Sequence, residues 1–166
     1  MKKLVLIVLV AILGALNANA QEVDSLSSEQ MTIVDSLSMK LSKLQHDYDF
    51  LKCDYELNQL KHELSIFDNE LSIKSNAVLI NYYNARFDVD LYLAYRDNYN
   101  SCVALFDSLK ESVRRKKLLF AVASWNLSDL ENEYLNNGCD LLDKQLAHIQ
   151  SSLDYYKIVI DTYKKK

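Results

Sequence analysis

The 166-residue sequence predicts an all-α protein: an elongated antiparallel three-helix bundle, coiled-coil in character, with a projecting two-helix hairpin end. Three observations carry that expectation. The chain has no proline and only two glycines, so helix breakers and turns that need positive φ are scarce. Leucine and tyrosine recur at steps of three and four residues along most of its length, which is the period of a helix face. The segment RFDVDLYLAY (86–95) alternates as a strand does, but it lacks a partner. The other β-branched stretch, YKIVIDTY (156–163), fits a helical stripe better, and a two-stranded ribbon is marginal in water.

Taken in chain order, residues 1–20 are set apart from the fold. Lys2 and Lys3 precede the apolar run LVLIVLVAILGAL, and Ala18 and Ala20 supply small residues before a cleavage point, as in a secretory signal peptide. The run is thirteen residues long, short of the roughly 20 that span a bilayer. No cysteine follows it to accept a lipid. The expectation is an exported, periplasmic or secreted bacterial protein whose single helical domain covers residues 21–166.

The first helix is predicted near 25–73. Val34, Leu37, Leu41, Leu44, Tyr48, Leu51 and Tyr55 repeat at 3-4 spacing, and so do Phe50, Cys53, Leu57, Leu60, Leu64, Phe67 and Leu71. At about 100° per residue the second stripe lies nearly opposite the first. The helix is therefore expected to bury one face in its first half and another in its second. The polar stretch SIKSN (72–76) is the expected first turn. A second helix over 76–124 carries the stripe Ile80, Tyr83, Phe87, Leu91, Ala94, Asn98, Cys102, Leu105 and Leu109, with Val78, Tyr82, Val89 and Leu93 on another side.

Two positions compete for the second break: 124–128, where SDLE matches a capping box, and 136–138, where NNG could stop a helix. The last stripe, from Leu135 to Tyr163, keeps phase through Gly138, which favours the earlier break and a third helix over 129–163. Such a helix would cover the first only to about residue 60. Residues 57–95 would then project as a two-helix hairpin.

Composition narrows the chemistry. Removing residues 1–20, which hold two lysines and no acid, takes the formal charge from −4 to −6, so nothing favours nucleic acid. Gly138 is then the sole glycine, which leaves no phosphate-binding glycine loop, dinucleotide fingerprint or nucleophile elbow. His46, His62 and His148 stand in no metal-ligand spacing. No catalytic, cofactor or metal residue is expected, and no transmembrane span in the mature chain. Cys53, Cys102 and Cys139 allow three disulfide pairings or none.

Four features remain as candidate sites. RRKK (114–117) is the strongest basic cluster; with the turn at 72–76 it would lie beside residues 31–42 and find little acid there. Tyr82, Tyr83, Tyr92, Tyr95 and Tyr99 are five of eleven tyrosines within eighteen residues. In the uncovered hairpin, Val78, Tyr82, Val89 and Leu93, rimmed by Arg86 and Arg96, would form an interaction patch. The tripeptide DSL occurs three times and resembles the acceptor motif of an O-glycosylation system for exported bacterial proteins, with Ser25, Ser36 and Ser108 as acceptors. These features point to a non-enzymatic interaction protein that binds another envelope protein or itself through the Tyr-rich hairpin end. The alternative is a small-ligand or lipid carrier with a cavity near Phe120 and Trp125.

Overall fold

A computed structural model describes residues 28–166; the segment expected to be a signal peptide and Ser25 lie outside the described residues. Helix α1 runs Ser28–Asn84, α2 Val89–Ala123 and α3 Asp129–Lys164, with a 3-10 turn Ser124–Asn126 before α3. No strand occurs among the described residues. The fold is the all-α three-helix bundle that the leucine spacing predicts. The alternating segment 86–95 divides at Val89: its start is the turn, and the rest opens α2.

The chain divides into two units at Lys43. In the first, residues 28–43 are helical, and Met31, Val34, Leu37 and Leu41 are exposed. The second, Leu44–Lys166, holds the bundle. Within it α1 and α2 run antiparallel, with Phe67 stacked on Phe106 at 6.1 Å and Asn81 donating to the Tyr95 hydroxyl. The α2–α3 pair is also antiparallel, as the edge-on contacts Tyr99–Tyr156 and Tyr95–Tyr163 show. α1 and α3 therefore run the same way, which matches the contacts of Asp54 with Tyr134 and Asp68 with His148.

Each helix gives one stripe to the core. The second α1 stripe is buried from Cys53 through Leu71. α3 buries Leu135, Leu142, Ile149, Leu153, Tyr156 and Tyr163, in the predicted phase, and burial pushes the Tyr156 hydroxyl up to about 12. In α2 the buried stripe is Tyr95, Cys102, Phe106, Val113 and Phe120. This differs from the expected one, in which Ile80, Tyr83 and Leu105 prove exposed. Gly138 is in mid-helix for a packing reason: a Cβ there would collide with Leu57 Cδ2 and lie 3.0 Å from Cδ1. Without one, the Leu57 side chain packs directly onto the α3 backbone at Gly138, at a helix cost for glycine of roughly 1 kcal/mol.

The first turn is displaced from its expected place. SIKSN is helical throughout. Ser75 is buried, and its hydroxyl donates to the Ser72 carbonyl at 3.0 Å, so a residue that looks like a loop signal is satisfied by its own helix. The chain turns at 85–88 instead, where the Asp88 carboxylate accepts from the Leu91 amide at 2.9 Å and caps α2. The second break is where the capping box placed it. Ser128 accepts from the Glu131 amide, and Glu131 accepts from the Ser128 amide at 2.8 Å.

Moving the turn changes which residues are covered. Tyr163 packs on Phe87 and Tyr95, with ring centroids 5.7 Å apart in each case, and Lys166 donates to the Tyr82 carbonyl. α3 thus reaches the α1–α2 turn, and the expected projecting hairpin over 57–95 does not form.

Candidate interaction surface

Coverage by α3 takes Val78 and Tyr82 out of the predicted patch and leaves its other four residues exposed. Val78 is core at 0% exposure, and Tyr82 is half-buried with Lys166 over its ring. Val89, Leu93, Arg86 and Arg96 are exposed, with Arg96 paired to Asp97 at 3.4 Å. Among the clustered tyrosines, Tyr95 and Tyr99 meet α3. Much of the Tyr-rich end is therefore the closure of the bundle, built by aromatic edges from the 85–88 turn, α2 and α3.

The basic cluster is also paired within the bundle. Glu111 accepts from Arg114 and Arg115, whose hydrogen bonds hold its carboxyl down to about 2. Lys116 pairs with Glu56 and Lys117 with Asp143. Each cation of RRKK has an acidic neighbour: Arg114 and Arg115 within α2, Lys117 on α3, and Lys116 on α1, where the register brings Glu56 beside it rather than residues 31–42.

An apolar surface with regular spacing remains on α1, besides the exposed Leu118, Leu119, Val122, Trp125 and Leu130 around the second break. Written as heptads, Val34, Leu41, Tyr48 and Tyr55 fall at position a, and Leu37, Leu44 and Leu51 at d. Within the bundle unit, Leu44 is 66% exposed, Tyr48 45%, Leu51 63% and Tyr55 62%. The residues at c and f look the other way: Phe50, Cys53, Leu57 and Leu60 face the bundle and are buried or half-buried. Those two faces are nearly opposite on a helix. The first stripe, expected to be buried, is thus the outer face of a helix whose inner face already has its partners.

This stretch of α1 is held at a defined angle. His46, at position f, meets the Asn126 carbonyl through Nδ1 at 2.7 Å and Glu131 through Nε2 at 3.1 Å. Both neighbours are acceptors, so the imidazole is best satisfied with two protons. Its pKa is raised, first by the Asn126 carbonyl and then by the Glu131 charge. Glu131 is lowered, chiefly by its bonds from Ser128. Phe50 and Asp54 add contacts to Tyr134 of α3, the latter accepting at 2.6 Å.

Other candidates carry less. A cleft of about 230 Å³ is lined by Leu64, Ser65, Asp68, Lys144, Gln145 and His148. His148 lies 3.3 Å from Asp68, but the Ser152 hydroxyl also turns to Asp68, at 3.5 Å. No serine–histidine relay is assembled there, and the surrounding amides are spent within their helices. Trp125 is 90% exposed, and it lines neither this cleft nor a second one beside Ser72 and Tyr155. Ser36 and Ser108 are exposed on helices. The three cysteines are unbridged, with Cys53 and Cys102 buried and Cys139 half-buried. Among the described residues no cluster of three His, Cys, Asp or Glu could hold a metal ion. No helix there is long and apolar enough to cross a membrane.

Comparison with protein-family models, curated proteins and solved structures yields no match.

Proposed function

We propose that this is an exported helical protein that acts by contact, presenting the outer face of α1 to another α-helix. One observation carries the proposal: Leu44, Tyr48, Leu51 and Tyr55 keep heptad spacing while remaining 45–66% exposed. Scattered exposed hydrophobes mean little, but a contiguous apolar face is an interaction surface by default. A 3-4 repeat is the form in which one helix reads another, as knobs into holes. The basic cluster, His46, His148 and much of the tyrosine cluster are engaged inside the chain and compete poorly for the role.

The test is the double variant Leu44→Ser, Leu51→Ser. Removing two central apolar anchors should weaken association on the order of a hundredfold, measured by sedimentation or by crosslinking in the native envelope. The melting temperature of dilute protein should stay put. A large fall in melting temperature with association intact would show that these leucines are core, and the proposal would fail.

A further inference from the structure

We infer that the occupant of this face is a second copy of the chain, lying parallel and in register, so that two α1 helices form a two-stranded coiled coil. The inference rests on the contact reading above and adds the identity of the partner. It comes from the residues that flank the seam. In a parallel pair, each g residue faces the e residue of the following heptad on the other helix. Here Asp47 is at g and Lys52 at e, so the pair Asp47–Lys52 forms twice across the two-fold axis. Both residues are exposed, and neither has an ion-pair partner among the described residues.

The remaining flanks agree. Asp54 at g meets Gln59 at e, so no like charges are opposed. Asp54 is in addition already satisfied by Tyr134 and Asn58. An antiparallel pair aligned with Tyr48 against Leu51 would place Asp47 opposite Asp54 and leave Lys52 without an acid. Lys52 therefore distinguishes the two orientations.

The seam has an end as well as a register. Past Tyr55 the a and d positions become Asn58, His62, Ser65 and Asn69. In sequence the heptad continues upstream through Leu41, Leu37 and Val34, whose side chains are also exposed. Short isolated coiled coils are marginal because each helix must be ordered on pairing. From Leu44 onward α1 is already held by its bundle and the His46 junction, so that cost is largely met before the copies meet. The bundle packs on positions c and f, opposite a and d, and leaves the seam open. Tyr48 and Tyr55 can bury their rings there and keep their hydroxyls at the wet edge.

The experiment is sedimentation equilibrium of the purified protein over a wide concentration range, with Asp47→Lys, Lys52→Asp and their equimolar mixture. Wild type should dimerise. Each single variant converts two attractive pairs into two repulsive ones and should weaken the dimer about tenfold, with the helical spectrum and melting temperature of the monomer unchanged. Mixing the two variants should restore association. In the mixed dimer one copy carries lysine at both positions and the other aspartate at both, so each g–e contact again joins opposite charges. Wild-type protein that stays monomeric throughout overturns the second copy, as does a mixture no tighter than its components. Weakening by Asp47→Lys but not by Lys52→Asp overturns the parallel register. The contact reading itself falls only if the Leu44→Ser, Leu51→Ser variant also keeps every association the wild type makes.

Discussion

Leu51 and Leu57 lie six residues apart on α1, and each belongs to a stripe of threes and fours. Leu57 is 0% exposed and packs against Gly138 of α3. Leu51 is 63% exposed. Nothing in local spacing separates them, because periodicity reports that a face is apolar and says nothing about where its partner lies. What separates them is the register of the other two helices. With the turn at 85–88, α2 and α3 pack along the stripe Cys53–Leu71 and leave the stripe through Leu44 and Leu51 outside.

The largest expected effect breaks or confirms that comparison directly. Leu57→Ala should lower stability by about 2–5 kcal/mol, because it opens a cavity in a site with little room to collapse. Leu51→Ala, in protein dilute enough to be monomeric, should stay within about 0.5 kcal/mol. Urea unfolding of the two variants side by side reads both numbers. Equal losses would mean that the two leucines share one kind of environment.

The comparison also shows which parts of the molecule were legible in the sequence. The helical class, the buried stripes of α1 and α3 and the break before Asp129 could be read from spacing and from the Ser128–Glu131 box, since those signals are local. The first turn could not. Ser72, Ser75 and Asn76 imitate a loop, while the hydrogen bond that returns Ser75 to its own helix leaves no mark in composition. The signal for the true turn was Asp88, an N-cap residue at the edge of a segment whose alternation imitates a strand. A shift of one turn by about a dozen residues is enough to exchange the environments of Val78 and Leu44, burying the first and exposing the second. The flanking residues Asp47 and Lys52 are legible as heptad charges only once the seam itself is known to be free.

A smaller effect tests the junction that fixes the outer face. His46 has its pKa raised above its ordinary 6.5, so its contribution is fully present below 6.5 and is lost as pH rises through the raised value. Glu131 is lowered from 4.5, so its contribution is present above 4.5 and is lost as pH falls through the lowered value. The stability difference between wild type and His46→Gln should therefore be greatest between about pH 4.5 and 6.5 and shrink on either side. Both groups are open to solvent, so the change is small and is best read as a slope in melting temperature. A difference that grows with rising pH would show that the imidazole is held neutral.

Helix α1 carries a core face and a free face back to back, and tyrosine accessibility measures both at once. Nitration followed by peptide mass spectrometry, in dilute and in concentrated protein, compares Tyr48 and Tyr55 with Tyr156 and Tyr163, which are 1% and 0% exposed. The expected result is that Tyr48 and Tyr55 react in dilute protein and become protected on concentration, while Tyr156 and Tyr163 resist throughout. Protection of Tyr48 and Tyr55 in dilute protein, or equal reactivity at every concentration, would contradict it.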